Sequence, residues 1–401
     1  MNPFAIPCVV RRGLVLTAAG IVVAVFLAHP AAAQYGGAPT QLFDESPFKS
    51  LSVVLGGSVS HDTNVFRRAS FTNPQSDTIS VAYAGLRVDK QYSLQQFKLD
   101  LTQTMRRYNR NTHLDFDAID YGGTWRWSLT PRFTGTLGAK HKVSLVPFED
   151  IEGSRQRNVR TTESRNFDLD GSIFGGWHLL LGISQNTVIS EQPAQVLIEP
   201  DSRSVSREAG VKYVAPSGSS ISAVRRSTEG TSLNNDYQQD ERELRANWAV
   251  TGKSSLTGRL TWRERTHKNN LTQRNFSGLN CDFGYTWTPT GKLALNLTAS
   301  RNIAPTQVTA SNQVVTDTLN FAPSWKVSAR TTVHMSLARA INDFGSSRKD
   351  TSDKAEIGVD WSPAGYLSVN ASLQRQLRSS TDSPLLGFNS NIATIGASLK
   401  F

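Results

Sequence analysis

Residues 279–300, LNCDFGYTWTPTGKLALNLTAS, decide how this chain folds. Leu279, Cys281, Phe283, Tyr285 and Trp287 alternate with Asn280, Asp282, Gly284 and Thr286, the period of two that sends successive side chains to opposite faces of a sheet. Leu293, Leu295, Leu297 and Ala299 repeat the pattern against Ala294, Asn296, Thr298 and Ser300, and Pro289 and Gly291 break the strand between the two arms. The stretch is a hairpin with one apolar and one polar face. One such hairpin fits half of a soluble sandwich as well as a piece of a barrel.

Recurrence separates the two. Connections of the same kind stand at SLTPRF (128–133), APSGSS (215–220), VTGKS (250–254), KVSART (326–331) and SPAGY (362–366). They recur roughly every 35 to 45 residues, the length of two strands, a tight turn and a longer loop. Trp127, Trp248, Trp287, Trp325 and Trp361 lie on the apolar row shortly before these turns, and Trp177 lies just after one at Gly175 and Gly176. Indole has an apolar body and an N–H that wants water, so a level ring of it marks a membrane interface. Trp125 shares a row with Trp127; only Trp262 sits away from a turn.

The beginning of the chain agrees with export. Arg11 and Arg12 precede an apolar run over 14–28 and the small residues Ala31, Ala32 and Ala33, which reads as a secretory signal peptide, residues 1–33, cleaved after Ala33. Cys8 falls within that segment, so the mature chain keeps Cys281 alone and has no internal disulfide framework or thiolate metal site. Residues 34–50 carry Gly and Pro without periodicity and are expected to form a short periplasmic tail. After the signal no apolar run reaches the 18 or so residues of a membrane helix, and mean hydropathy is −0.34. An open sheet cannot cross hydrocarbon because its unpaired N–H and C=O groups would each cost several kcal/mol, so the sheet must close.

The expected architecture is therefore all-β: a single transmembrane antiparallel β-barrel over residues 51–401, of about 18 strands (16–18), with both ends on one side. Short turns face the periplasm. Longer connections at 61–75, 147–159, 190–205, 229–236, 267–274, 303–313, 342–353 and 375–387 face the exterior of a Gram-negative cell. Ala393, Ile395, Ala397, Leu399 and Phe401 end the chain on an apolar row with an aromatic carboxyl terminus, the mark by which barrel insertion machinery recognises a last strand.

An Arg facing lipid at mid-membrane costs roughly 2 to 4 kcal/mol, which assigns the charged residues of the strands to the lumen. By this rule Lys98, Arg106, Arg126, Lys140, Lys142, Lys212, Arg245, Arg259, Arg263 and Arg265 line the bore. Asp100, Asp168, Asp170, Glu243, Asp282 and Asp360 share the same rows. The charges either pair across strands and hold a hydrated wall together, or leave an excess of cation that draws anionic solute, in keeping with the formal charge of +10.

An enzyme is not expected. His61, His113, His141, His178, His267 and His334 are scattered singly, without HExxH or GxSxG, and carboxylate pairs such as Asp115 and Asp117 are spaced by two as strand alternation alone produces. No metal, cofactor or nucleic-acid partner is implied.

The loop HDTNVFRR (61–68) carries Asp62 and Asn64 in the positions of an Asx turn. Together with SDTISVAYAGLRVD (76–89), LDLTQTMRRYNRNTHLDFDAIDYGGTWRWSL (99–129) and the aromatic terminus, it resembles the EpsL-like outer-membrane proteins of exopolysaccharide biosynthesis clusters, including the exosortase-associated ones. The resemblance covers about the first third of the mature chain. It implies a conduit or assembly component for an exopolysaccharide, possible acidic sugars as cargo, outer-membrane lipid around the barrel, and a periplasmic polysaccharide-export protein as partner. The residues alone leave two alternatives open: a general anion-permeable diffusion porin, and a surface barrel that attaches polysaccharide without transporting it.

Overall fold

The computed structural model describes residues 50–148, 155–191, 201–232, 235–268, 275–305, 313–345 and 348–401. The expected signal peptide and all but the last residue of the expected tail lie outside them.

Eighteen strands follow in chain order. They are β1 (Leu51–Asp62), β2 (Asp77–Tyr92), β3 (Gln95–Tyr108), β4 (Phe116–Thr130), β5 (Phe133–Leu145), β6 (Val159–Phe174), β7 (Trp177–Glu191), β8 (Ser202–Val214) and β9 (Ser220–Ser232). The second half is β10 (Asn235–Thr251), β11 (Ser254–His267), β12 (Phe276–Thr290), β13 (Leu293–Pro305), β14 (Gln313–Ser328), β15 (Thr331–Asp343), β16 (Lys349–Ala364), β17 (Leu367–Ser380) and β18 (Phe388–Lys400). Each pairs antiparallel with its sequence neighbours, and β1 closes on β18 from Val54↔Lys400 to Asp62↔Ile392. Closure satisfies both edges, as a wall in hydrocarbon requires. The even count puts both strand ends of the chain at the short-turn rim.

Alternation works as the sequence predicts. Outward rows expose large apolar side chains, among them Leu51, Leu55 and Val59 on β1 and Phe97, Leu99 and Leu101 on β3. At the tight turn between β6 and β7, Gly175 and Gly176 take φ of 52° and 85°, a left-handed pair that only glycine adopts cheaply. Most of the tryptophans near the turns are outward and exposed. Trp127 differs: it is 9% exposed because it lies over Gly135 and stacks on Phe167 at 5.9 Å. A Cβ on Gly135 would sit 2.4 Å from Trp127 Cζ2, so the glycine makes the recess.

Two expectations are corrected. The strands run 12 to 17 residues, longer than a ten-residue crossing, because pairing continues above the apolar band. In particular β9 and β10 pair up to Ser232 and Asn235, so most of the expected loop over 229–236 is strand. The second correction concerns charge. Arg207, Arg225 and Arg242 stand on outward rows, against the cost rule, because alternation leaves no choice: Arg226 is already inward, and Arg242 lies between the inward Glu241 and Glu243.

Candidate functional site: the lumen and its mouth

All ten cations expected in the bore stand on inward rows, and the structure divides them into two groups. Across β8 to β12 they are neutralised. Arg226 on β9 joins Glu208 and Glu241, the latter at 2.8 Å; Arg263 meets Glu241 at 2.6 Å; Arg245 meets Glu208 at 3.1 Å and also Glu243. Arg259 meets Asp282 at 2.8 Å. Glu241 and Glu243 have side chains only 3% exposed, so each carboxylate is held dry between guanidinium groups. Arg265 completes the ladder without a carboxylate, donating to Gln239 Oε1 at 2.8 Å and lying 4.0 Å over the Tyr237 ring. Lys212 is paired on the neighbouring wall with Asp170, which also meets His178 at 2.6 Å.

Across β3 to β5 the cations are mostly left unneutralised. Lys98 pairs with Asp89 at 2.8 Å, and Arg106 lies 5.6 Å over the Phe116 ring. Arg126 makes a long hydrogen bond to Gln96 Oε1, 3.3 Å, and lies within electrostatic reach of Asp89, the carboxylate that Lys98 pairs with. Lys140 and Lys142, two residues apart on β5, make no ion pair among the described residues. The carboxylate that bears on Lys142, Asp120, accepts instead from the Val143 N–H at 2.8 Å. The bore is therefore not uniformly basic: its free positive charge is concentrated on one wall.

Sequence reading did not single out Arg226 and Glu208, which sit at the centre of the ladder, although their inward facing was legible from the outward rows of Ala223 and Ala209 beside them. Of the carboxylates expected inward, Asp100 meets Arg87 at 3.4 Å and Asp360 meets His334 at 3.1 Å. Asp168 accepts from Asn166.

Three aspartates at the long-loop ends of strands pull the mouth inward. Asp62, fully buried, receives Arg67 Nη1 at 3.0 Å, Ser390 Oγ at 2.6 Å and the Asn64 N–H at 2.8 Å, the last being the Asx turn read from the sequence. Asp77 receives the backbone N–H groups of Arg110 and Asn111 at 3.0 and 2.9 Å. Asp350 is held by Arg348 and Arg378 at 2.7 and 2.6 Å. Loop 63–76 thereby places Val65 and Phe66 against the inward Ile79, Val81 and Tyr108, where Leu114 and Phe148 from the next two loops join them. Phe66 meets Phe148 edge-on at 5.0 Å. The loops over β1 to β6 thus build a dry apolar shelf inside the wall. Among the described residues no group of His, Cys, Asp and Glu could hold a metal ion.

A closed even-stranded barrel with apolar outer rows and a charged bore is an outer-membrane barrel in its architecture. The family model described as "Putative beta-barrel porin 2" matches residues 256–401. Among solved structures, the outer membrane protein OpdK of Pseudomonas aeruginosa superposes with a TM-score of 0.52 at 10% identity, over 88% of this chain and 99% of that one. OccK2 (OpdF) of the same organism gives 0.51 at 13% identity, over 88% and 98%. A BenF-like porin from Pseudomonas fluorescens Pf-5 gives 0.50 at 10%, over 88% and 98%. At such identities the likeness is one of fold. A search of the curated proteins gives no match. These comparisons support an outer-membrane β-barrel fold and lend no support to the exopolysaccharide resemblance of residues 61–129.

Proposed function

We propose that the protein is an anion-permeable porin that lets small carboxylate solutes cross the outer membrane by diffusion. The observation that carries this is the patch of Arg126, Lys140 and Lys142 on the β4–β5 wall, none of which makes an ion pair among the described residues. In a narrow aqueous bore with low-dielectric walls such charge raises the local anion concentration. Weak, repeated contact suits passage, since a solute held too tightly does not leave. Lys98, Arg106 and Arg265 extend the path, while Lys212, Arg245, Arg259 and Arg263 serve mainly to hold the wall from β6 to β12. Two of the structures of similar fold, those of OpdK and OccK2, were solved with vanillate and glucuronate, both carboxylates.

The purified protein in a planar bilayer tests the proposal. A salt gradient should give a reversal potential of the sign for anion preference; absence of channels, or preference for cations, overturns it. A second reading, an exopolysaccharide conduit, draws on the hydroxyl and amide side chains of the lumen rows, such as Asn296, Thr298 and Ser300. It requires that deletion of the gene strips polymer from the cell surface, and unchanged surface staining removes it.

A further inference from the structure

Four of the eight short turns share one sequence pattern: WSLTPR (127–132), WAVTGK (248–253), WTPTGK (287–292) and WKVSAR (325–330). Each sets an indole, a hydroxyl three residues on, and a cation two further, on the second residue of a two-residue turn. At the other two-residue turns, 93–94, 175–176 and 365–366, hydroxyl and cation are both missing: Tyr92 and Leu94, Phe174 and Gly176, and Ala364 and Tyr366 stand in their places. The two features go together. None of the eight turns holds an Asp or Glu, whereas the long connections carry both signs, as Arg110 and Asp115 or Arg348 and Asp382 do.

The hydroxyl accepts from the backbone N–H of the cationic residue: Thr130 from Arg132 at 3.3 Å, Thr251 from Lys253 at 3.1 Å, Thr290 from Lys292 at 3.3 Å and Ser328 from Arg330 at 3.1 Å. The carbonyl of the same residue accepts from the neighbouring hairpin, from the N–H groups of Ser172, Thr288, Lys326 and Ser362 at 2.7 to 2.8 Å. The backbone under each cation is thus fixed from two sides. Arg132, Lys253, Lys292 and Arg330 are themselves exposed and make no ion pair among the described residues. Lys253 Nζ reaches the Pro289 carbonyl at 3.3 Å, which leaves its charge uncancelled.

Trp248, Trp287 and Trp325 are exposed on the outer wall. At about 2.5 Å of height per residue for strands tilted by ~40°, each turn lies roughly 7 to 10 Å beyond its indole. An indole settles where hydrocarbon meets headgroup, so the cation stands at the level of lipid phosphates. The turns β10–β11, β12–β13 and β14–β15 follow one another around the rim, so Lys253, Lys292 and Arg330 form an arc. We propose that this arc binds the phosphate groups of anionic phospholipid in the periplasmic leaflet, one headgroup to a turn, with the indole against the upper part of the acyl chains. A zwitterionic lipid carries an ammonium that offsets its phosphate, so the arc selects a net negative headgroup. Lipid is the occupant because each cation is joined to an outward indole and, through it, to the apolar wall; a soluble polyanion would make no use of the indoles. The inference shares with the porin reading the placement in a membrane, and nothing about solute.

Native mass spectrometry of the full chain in mild detergent, with phosphatidylglycerol and phosphatidylethanolamine added in equal amounts, tests it; heat-modifiable gel mobility reports that each variant is folded. Wild type should retain phosphatidylglycerol over phosphatidylethanolamine at least tenfold. A cation beside an anionic surface contributes a factor of about 5. Lys253→Gln, Lys292→Gln and Arg330→Gln combined in one chain should therefore bring the preference to within about twofold of none. Arg110→Gln with Lys268→Gln, at the long-loop ends of the strands, should leave it within about twofold of wild type. Wild type without a preference, a triple variant that keeps it, or an equal loss in the long-loop variant overturns the inference. So does a triple variant that loses anion selectivity in a bilayer of zwitterionic lipid where wild type shows it, because the cations then serve the bore. Failure of the porin reading would instead leave wild type without anion-selective channels and its lipid preference unchanged.

Discussion

The two sides of the bore use the same residue types to opposite effect. On β8 to β12, arginines and carboxylates meet at 2.6 to 3.1 Å and cancel. On β4 and β5, Arg126, Lys140 and Lys142 make no ion pair among the described residues: Asp120, which bears on Lys142, accepts from the backbone of β5, and Asp89 is paired with Lys98. The first wall is a scaffold and the second carries field. What separates them is whether the register sets a carboxylate within reach, not how many cations a strand holds.

Breaking the scaffold should have the largest effect. Glu241→Ala leaves Arg226 and Arg263 in a dry wall with their common partner gone, and loss of one member of a buried ion pair costs about 3 to 5 kcal/mol. Unfolding in urea from detergent should show that loss, while Arg126→Ala on β4 should change stability by less than about 1 kcal/mol. Phe66→Ala comes next. Removing the ring from the shelf against Phe148 should loosen loop 63–76 at a cost of up to ~3 kcal/mol and raise single-channel conductance. Unchanged conductance would mean that the shelf does not narrow the path.

Reversing the field sharpens the comparison from the other side. A unit charge ~8 Å from a permeating anion contributes about 0.5 kcal/mol in water, so Lys140→Glu with Lys142→Glu shifts the anion's energy by ~2 kcal/mol. The anion's share alone lowers the ratio of anion to cation permeability by about thirtyfold at low salt, and by less at high salt, where charges are screened. The smallest effect belongs to a neutral exchange within the ladder. Arg259→Gln together with Asp282→Asn removes a charge of each sign from one pair and should leave the reversal potential within a few millivolts of wild type.

Much of this was legible in the sequence. The facing of Arg126 follows from Trp125 and Trp127 on either side of it, and that of Arg259 and Arg263 from Leu260 and Trp262. The Asx turn at Asp62 and Asn64 was readable too. Other features were not. Nothing local to Glu241 says that it serves Arg226 from the preceding strand and Arg263 from the following one, and Asp62 shows no sign of Ser390, its partner from the far end of the chain. The outward arginines escaped as well, since a rule that turns every strand cation inward cannot hold where charged residues are consecutive, as at Arg225 and Arg226.

Residue order alone determined that this chain is a closed antiparallel barrel with an indole rim at its short turns, and that cations such as Arg126 and Arg263 face its bore. Those properties depend on a period of two and on turn residues, both of which are written within a few positions of one another. Only the tertiary structure decided which cations are cancelled and where three loops enter the mouth. Each of these depends on register between strands or on contacts between distant segments, and a shift of two residues along one strand would keep every facing while changing every partner.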